Sequence, residues 1–151
     1  MGGGTTMTTT VNQLLNSKDD EIFSVTPGAL VIDAIKMMDE KKVGALLVIE
    51  NDKLVGIISE RDYTRKVILK NRSSAKTKVN EIMTSNLKTA DPSQSLDECM
   101  VIMAHSHIRH LPVVQDGQVI GILSIMDVVK NIISEQEFTI EQLQHYITDT
   151  A

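Results

Sequence analysis

Gly56-Ile57-Ile58-Ser59-Glu60-Arg61-Asp62 returns later in the chain as Gly121-Ile122-Leu123-Ser124-Ile125-Met126-Asp127. From Gly56 to Gly121 the offset is 65 residues, and it holds without a gap back to Pro27 and Pro92. Each copy reads as an apolar strand that meets a serine and turns into a helix. A duplicated element of this kind predicts two similar halves related by a pseudo-two-fold axis. It also predicts two matching clefts, which suit holding a small ligand better than transforming one.

Upstream of the motif, Val31, Ala34, Ile35 and Met38 fall on one helical face. The same offset lands on Leu96, Cys99, Met100 and Met103. Cys99 therefore takes the place of Ala34 as a small core residue, which predicts an inert buried thiol rather than a nucleophile. Short β runs follow at Ala45–Ile49 and His110–Val114, then the turns Asn51-Asp52 and Asp116-Gly117. These turn dipeptides between apolar runs predict hairpins. The return strands, Leu54–Ile58 and Val119–Leu123, are apolar enough to be expected buried on both faces. Pro112 lacks an N–H and is expected at a strand start or edge.

Downstream, Tyr63, Val67 and Ile68 are expected to supply the core face of one helix, and Val128, Ile132 and Ile133 that of its counterpart. A short extended piece ends at Pro27 in one copy and Pro92 in the other. Earlier still, Val11-Asn12-Gln13-Leu14-Leu15 echoes Val79-Asn80-Glu81-Ile82-Met83 at an offset of 68, which implies a three-residue insertion in the Lys18–Glu21 stretch. A last helix is expected to start near Thr139, capped by Thr139 with Gln142 and striped by Ile140, Leu143 and Ile147. The resulting division is a disordered leader over 1–10, a first repeat over 11–70, a polar linker over 71–77, a second repeat over 78–135 and a C-terminal helix over 136–151. Neither copy could bury its sheet alone, so the halves should pack sheet against sheet.

Hydrophobic residues make up 42% of the 151-residue chain, enough for a true core, while aromatics are only 3%. The formal net charge of −5 argues against a general nucleic-acid binder. A single cysteine excludes an intrachain disulfide framework and fits a cytoplasmic home. No apolar run approaches a membrane span, and no signal peptide is visible. Met1-Gly2-Gly3-Gly4-Thr5-Thr6 formally fits a myristoylation pattern, but a Gly/Thr-rich stretch before Met7 reads more simply as a floppy start.

The doubled order strand–helix–strand–strand–helix, the Gly-h-h-Ser-x-x-Asp motif closing each copy, and Arg109-His110-Leu111-Pro112-Val113-Val114 together resemble the cystathionine-β-synthase (CBS) domain pair, or Bateman module. The likeness covers roughly residues 11–135, and the chain looks like small stand-alone bacterial members. The fold class it implies is α+β, a tandem CBS domain pair of two β-α-β-β-α repeats packed by pseudo-two-fold symmetry. It further implies binding of adenosine nucleotides (AMP, ADP, ATP or NAD(H)), an energy- or redox-sensing role, and a homodimer that signals to a regulated protein partner. No nucleic acid, membrane or metal is expected.

Ser59 with Asp62, and Ser124 with Asp127, first read as helix caps, serine at the cap and an acid three residues on. The resemblance adds a second role: Asp62 and Asp127 would accept from ribose hydroxyls, and Ser59 and Ser124 with nearby amides would receive phosphate. The sites of the family lie between the halves. The resemblance thus implies that Arg109 and His110 supply phosphate contacts to the Asp62 site. Arg61 would supply them to the Asp127 site, with Gly44 and Ala45 as the counterparts of Arg109 and His110. Arg65 stands beside the first motif; on its own, with Arg61, it reads as a solvated helix face. An adenine slot could be lined by Val43, Ile57, Ile108, Ile122 and the extended pieces near Ile22 and Lys88, with Leu111 and Pro112 on the adjoining strand.

His105, His107 and His110 suggest a metal only weakly, because three or four converging ligands are needed and this stretch ends a helix. No Walker loop, dinucleotide fingerprint or nucleophile elbow is present, so an enzyme is not expected. Three function classes remain open: a regulatory adenosine-nucleotide-binding module, a ligand-free dimerisation scaffold for a partner protein, and, last, a redox or metal role for Cys99 or the histidines.

Overall fold

A computed structural model describes residues 9–17 and 22–150, with side chains to residue 145. The expected leader, apart from Thr9 and Thr10, and the inferred insertion at Lys18–Glu21 lie outside the described residues. Helix α1 (Val11–Ser17) leads to strand β1 (Ser24–Val25), helix α2 (Val31–Lys41), the hairpin of β2 (Ala45–Glu50) and β3 (Lys53–Ser59), and helix α3 (Glu60–Tyr63). A π-helical turn, Thr64–Ile68, extends α3. The second half runs through α4 (Val79–Ile82), α5 (Leu96–Ser106), the hairpin of β4 (His110–Gln115) and β5 (Gln118–Ser124), and α6 (Ile125–Thr150).

The duplication survives at the level of single hydrogen bonds. Ala45 stands opposite Ser59 and His110 opposite Ser124, and each hairpin carries an irregularity at the same place, after Val48 and after Val113. Both turns have positive φ at both central residues, Asn51 and Asp52 in one, Asp116 and Gly117 in the other. This is the primed geometry whose twist matches the flanking strands. Both long helices end on a left-handed residue, Lys42 and His107.

One strand is not duplicated. β1 pairs in parallel with β2, and Leu47 N–H donates to the Phe23 carbonyl at 3.2 Å. Pro112 occupies the position of Leu47, so that donor does not exist in the second half. There the expected first strand shrinks to one bridge between Ala90 and Val113. Pro112 lies within β4, an edge strand of the two-stranded β4–β5 sheet, and the residue it faces on β5 is Ile122.

The two leading helices are exchanged between the halves. α1 joins the second-half core, where Val11 and Leu14 pack with Leu96, Cys99, Met103, Leu111, Leu123 and Val128. α4 joins the first-half core, where Val79 and Ile82 pack with Val31, Ala34, Met38, Leu46, Ile58 and Val67. The backbone bonds match: Val11 N donates to Gln94 O and Leu96 N to Thr9 O, as Val79 N does to Ala29 O and Val31 N to Thr77 O. A third cluster joins the halves, with Ala45, Leu47 and Ile57 against Leu54, Leu87, Val119 and Ile122. The sheets therefore do face one another. The return strands are not buried throughout, since Leu54, Val55, Val119 and Ile120 are only half-buried.

The exchange also explains the two motif glycines. A Cβ on Gly121 would lie 2.8 Å from Leu15 Cδ2, and one on Gly56 would lie 2.7 Å from Met83 Sδ and 3.0 Å from the Thr84 carbonyl.

Two helix expectations are corrected. Ile68 and Ile133, expected in the core, are 54% and 48% exposed. Each lies one residue past a core-facing neighbour, Val67 or Ile132, and so about 100° round the helix from it; a π turn closed by Leu69 N to Thr64 O at 2.9 Å occurs only in the first half. No helix starts at Thr139, because α6 runs unbroken for 26 residues. With no Pro or Gly to stop the helix, the Thr139 hydroxyl donates back to the Glu135 carbonyl at 3.0 Å instead of capping. The expected terminal helix over 136–151 is thus the extension of the second repeat's last helix.

Candidate functional site

Each Ser-x-x-Asp pair closes a helix start from both sides. Ser59 N–H donates to Asp62 Oδ2 at 3.0 Å, and Asp62 N–H donates to Ser59 Oγ at 3.2 Å. In the second copy, Ser124 N–H donates to Asp127 Oδ2 at 2.9 Å and Asp127 N–H donates to Ser124 Oγ at 3.1 Å. Two otherwise orphaned amides are satisfied at each helix, and the acid complements the helix dipole.

Beyond the caps the halves diverge. Asp62 is 9% exposed and accepts from further donors. Its Oδ2 takes the Ser59 hydroxyl at 3.1 Å, and its Oδ1 takes the Thr84 hydroxyl at 3.2 Å and the Lys66 ammonium at 3.0 Å. Lys66 also donates to the Ile82 carbonyl at 2.9 Å, which ties α3 to the end of the exchanged α4. Four residues beyond Asp127 the equivalent position is Asn131, whose Oδ1 is buried without a hydrogen-bond partner among the described residues. The carbonyl equivalent to that of Ile82 belongs to Leu14 and is met by the Ser17 hydroxyl at 2.8 Å. Asp127 itself is half-buried.

The strand starts of the two halves meet beside these caps. A Cβ on Gly44 would sit 3.3 Å from Glu60 Oε1 and 3.7 Å from the His110 ring atoms Cε1 and Nε2. The second-half imidazole thus lies in ordinary contact range of the first-half strand start, where a side chain would crowd only the Glu60 carboxylate. Arg61 reaches across as well, with Nη1 donating to the His107 carbonyl at 3.1 Å. Gly44 O accepts from Glu60 N at 3.0 Å, and Arg109 O from Ile125 N at 2.9 Å, so both strand starts are pinned to the motif helices in the same way.

Of the residues expected to form the sites, Gly44, Arg61 and His110 therefore converge across the interface, and Ser59 with Asp62 and Ser124 with Asp127 flank it. Ala45, Ile57 and Ile122 lie in the cluster that joins the halves. Arg65, Lys88 and Arg109 are exposed. Val43 and Ile108 pack against the separate cores of their own halves rather than beside Ile57 and Ile122. Pro112 is buried on β4, on the strand face opposite to that of its neighbour Leu111. Strand alternation turns Leu111 fully into the second-half core.

A cavity of about 620 Å³ opens beside Gly44, walled by Ile35, Met38, Val43 and Tyr63 and rimmed by Asp39, Lys42 and Glu60. Two carboxylates against one ammonium make this rim a poor receptor for phosphate. Sequence reasoning missed Lys66 and Thr84 at the Asp62 site. The i, i+4 spacing of Asp62 and Lys66 was a visible signal; Thr84 comes from a distant segment and gave none.

Cys99 is fully buried, and its burial, with the neighbouring Glu98 carboxylate adding to it, pushes the thiol up to about 11. Among the described residues no cluster of three His, Cys, Asp or Glu groups could hold a metal ion. His107 is the left-handed cap of α5 and His105 is exposed in its last turn. Among the described residues no helix is long and apolar enough to cross a membrane.

The CBS-domain family model matches residues 11–68 and again 79–134. The chain belongs to the CBS-domain family. It is a tandem CBS pair of α+β class. It is 40% identical over 148 residues to the mitochondrial CBS domain-containing protein CBSX3 of Arabidopsis thaliana, covering 92% of this chain and 72% of that one. Among solved structures, a CBS-domain protein of Burkholderia ambifaria superposes with a TM-score of 0.82 at 51% identity, over 85% of this chain and 96% of that one. The CBS pair of protein MJ0100, solved in complex with 5′-methylthioadenosine and S-adenosyl-L-methionine, superposes with a TM-score of 0.75 at 26% identity, over 84% and 98% of the two chains.

Proposed function

We propose that this CBS pair is a non-catalytic regulatory module of the cytoplasm. It binds an adenosine nucleotide, AMP, ADP, ATP or NAD(H), between its halves as a sensor of energy or redox state. It acts as a homodimer on a protein partner. The observation that carries this reading is the pair of Ser-x-x-Asp caps in identical register, flanking an interface where His110 and Arg61 cross from one half to the other. A carboxylate there can accept from both vicinal hydroxyls of a ribose, and the helix start with adjacent cations can receive phosphate. The adenosyl compounds bound by the MJ0100 pair support the same ligand class.

The two sites are not equivalent in this reading. A ribose at Asp62 must displace Thr84 or the Lys66 ammonium. At Asp127 the residue in the place of Lys66 is the neutral Asn131. We therefore expect the two halves to contribute unequally, with Asp62 carrying the larger structural part.

Thermal unfolding across AMP, ADP, ATP, NAD, NADH, S-adenosylmethionine and methylthioadenosine tests this. At least one ligand should raise Tm with the logarithmic dependence of RT ln(1 + [L]/Kd). Asp127→Asn keeps a cap acceptor but should lose most of that rise. A flat response to the whole panel would sink the reading.

A second reading is favoured by the engagement of Asp62 and by exposed Ile133, Phe138, Ile140 and Leu143 on α6. In it the pair is a ligand-free dimerisation scaffold. It gives no thermal shift and a concentration-dependent Tm.

A further inference from the structure

A feature that only one half carries cannot serve the pseudo-two-fold, and the stretch that follows α3 is such a feature. Ile68 recurs as Ile133 and Arg65 as Lys130, all four exposed. The likeness ends at Leu69. At the repeat offset Leu69, Lys70, Arg72 and Lys76 meet Ser134, Glu135, Glu137 and Glu141. Leu69 is 70% exposed, more than any other large apolar side chain among the described residues. From Thr64 to Lys78 the chain carries six cations and no carboxylate, which leaves the other nine cations set against all twenty carboxylates.

This stretch is not a loose tether. Asn71 N–H donates to the Ile68 carbonyl at 3.2 Å and Arg72 N–H to the Val67 carbonyl at 2.9 Å, which folds the chain back over the end of the helix. The Ser74 and Thr77 carbonyls then accept from Ile32 N–H at 3.0 Å and Val31 N–H at 2.8 Å, at the start of α2. Thr77 is buried, and its hydroxyl donates to the Ser73 carbonyl at 2.7 Å. Lys66 is paired with Asp62 and Arg72 with Glu81. Arg65, Lys70 and Lys76 are exposed, and among the described residues no carboxylate pairs with them. A backbone held this firmly has little freedom to lose on binding, so the charge it displays is ready for recognition.

We infer that Leu69, with Arg65, Lys70 and Lys76, is the docking surface for the regulated protein partner, and that the partner offers an acidic segment with an apolar residue at its centre. An exposed apolar side chain inside a polar rim is the anatomy of a protein interface. Cations in the rim steer an acidic partner in and reject a basic one. A nucleic acid fits worse. Residues 64–78 hold no aromatic side chain on which a base could stack, and the rest of the chain is strongly acidic. The surface rests on the reading that the module acts on a protein partner, and it needs no nucleotide.

Fluorescence anisotropy of the full chain with a labelled helical peptide, glutamates flanking a row of leucines, tests it; a copy with glutamine for every glutamate is the control. The acidic peptide should bind saturably at low salt, weaken as salt rises, and bind at least about tenfold better than the control. R65E/K70E/K76E should weaken binding at least about tenfold, and Leu69→Ser about tenfold. K130E, at the counterpart of Arg65, should change it by less than about twofold. All these positions are exposed, and a Tm equal to the parent's shows that each variant is folded. Absence of peptide binding, an equal loss in K130E, or tighter binding of a labelled oligothymidylate overturns the surface. A nucleotide that raises Tm while the peptide fails to bind sinks the surface and keeps the ligand reading. A flat nucleotide panel with peptide binding intact leaves the surface standing.

Discussion

Asp62 and Asp127 occupy equivalent places in a duplicated fold, yet only the first is locked by a lysine four residues on. Both close a helix with the same reciprocal cap. Asp62 adds Thr84 and Lys66, and through them the exchanged helix α4. The contrast teaches how a repeat divides labour. One copy spends its carboxylate on holding the halves together. The other carries Asn131 in the place of Lys66 and so lacks that ion pair.

The largest test of that contrast is to remove each carboxylate. Asp62→Ala strips a cap acceptor and leaves a partly buried ammonium and a hydroxyl without their partner. The side chain of Lys66 is 43% exposed, so water recovers part of the loss. We expect a cost of about 3 kcal/mol, at the lower end of the usual range for breaking a buried pair. Asp127→Ala should cost about 1 kcal/mol, the ordinary value of a cap. Chemical denaturation of the two variants gives both numbers, and equal losses would erase the distinction. Asn131→Lys sharpens it: a lysine there should engage Asp127 as Lys66 engages Asp62, and should weaken any ligand stabilisation seen in the parent.

The motif glycines give the next largest effect. On Gly56 a methyl group meets Met83 Sδ and also the Thr84 carbonyl, a backbone atom that cannot swing aside. On Gly121 it meets only the flexible end of Leu15. Gly56→Ala should therefore cost about 2 kcal/mol and Gly121→Ala about half of that, within the usual range for overpacking. A reversed order would show that the α1 contact is the stiffer one.

How much of this could be read from the chain follows from which signals are local. The offset of 65 residues carries the hairpins, their turns and both caps, because strand alternation and cap chemistry act over a few residues. Pro112 also signals its own consequence, since a residue without an N–H cannot hold a first strand as Leu47 does. The exchange of α1 and α4 is not legible. Periodicity says which face of a helix is buried, not which half buries it. Ile68 and Ile133 fail together for a simpler reason: each follows a core-facing residue by one position, about 100° further round the helix, which turns it out of the face that Val67 and Ile132 share. Thr139 and Gln142 fit a capping box, but a cap forms only where the helix is interrupted, and nothing between 125 and 138 interrupts it. At the site, Lys66 was visible as an i, i+4 partner of Asp62, whereas Thr84 and the approach of His110 to Gly44 depend on how distant segments meet.

A small difference between the halves is Cys99 in the place of Ala34, both fully buried. Its thiol is pushed from an ordinary 9.0 up to about 11 by burial and by Glu98. Between these values the unfolded chain releases a proton that the folded chain retains. Raising the pH through that window therefore favours unfolding, and stability should fall progressively from about pH 9 and level off above about pH 11. Cys99→Ala makes the second core match the first. It should cost about 1 kcal/mol or less at neutral pH, from the lost sulfur contacts, and should flatten the alkaline decline by that one group's share. In the native parent, a thiol reagent at pH 8 should react only as fast as the protein opens. Rapid labelling without unfolding would mean that the second-half core admits solvent where the first does not.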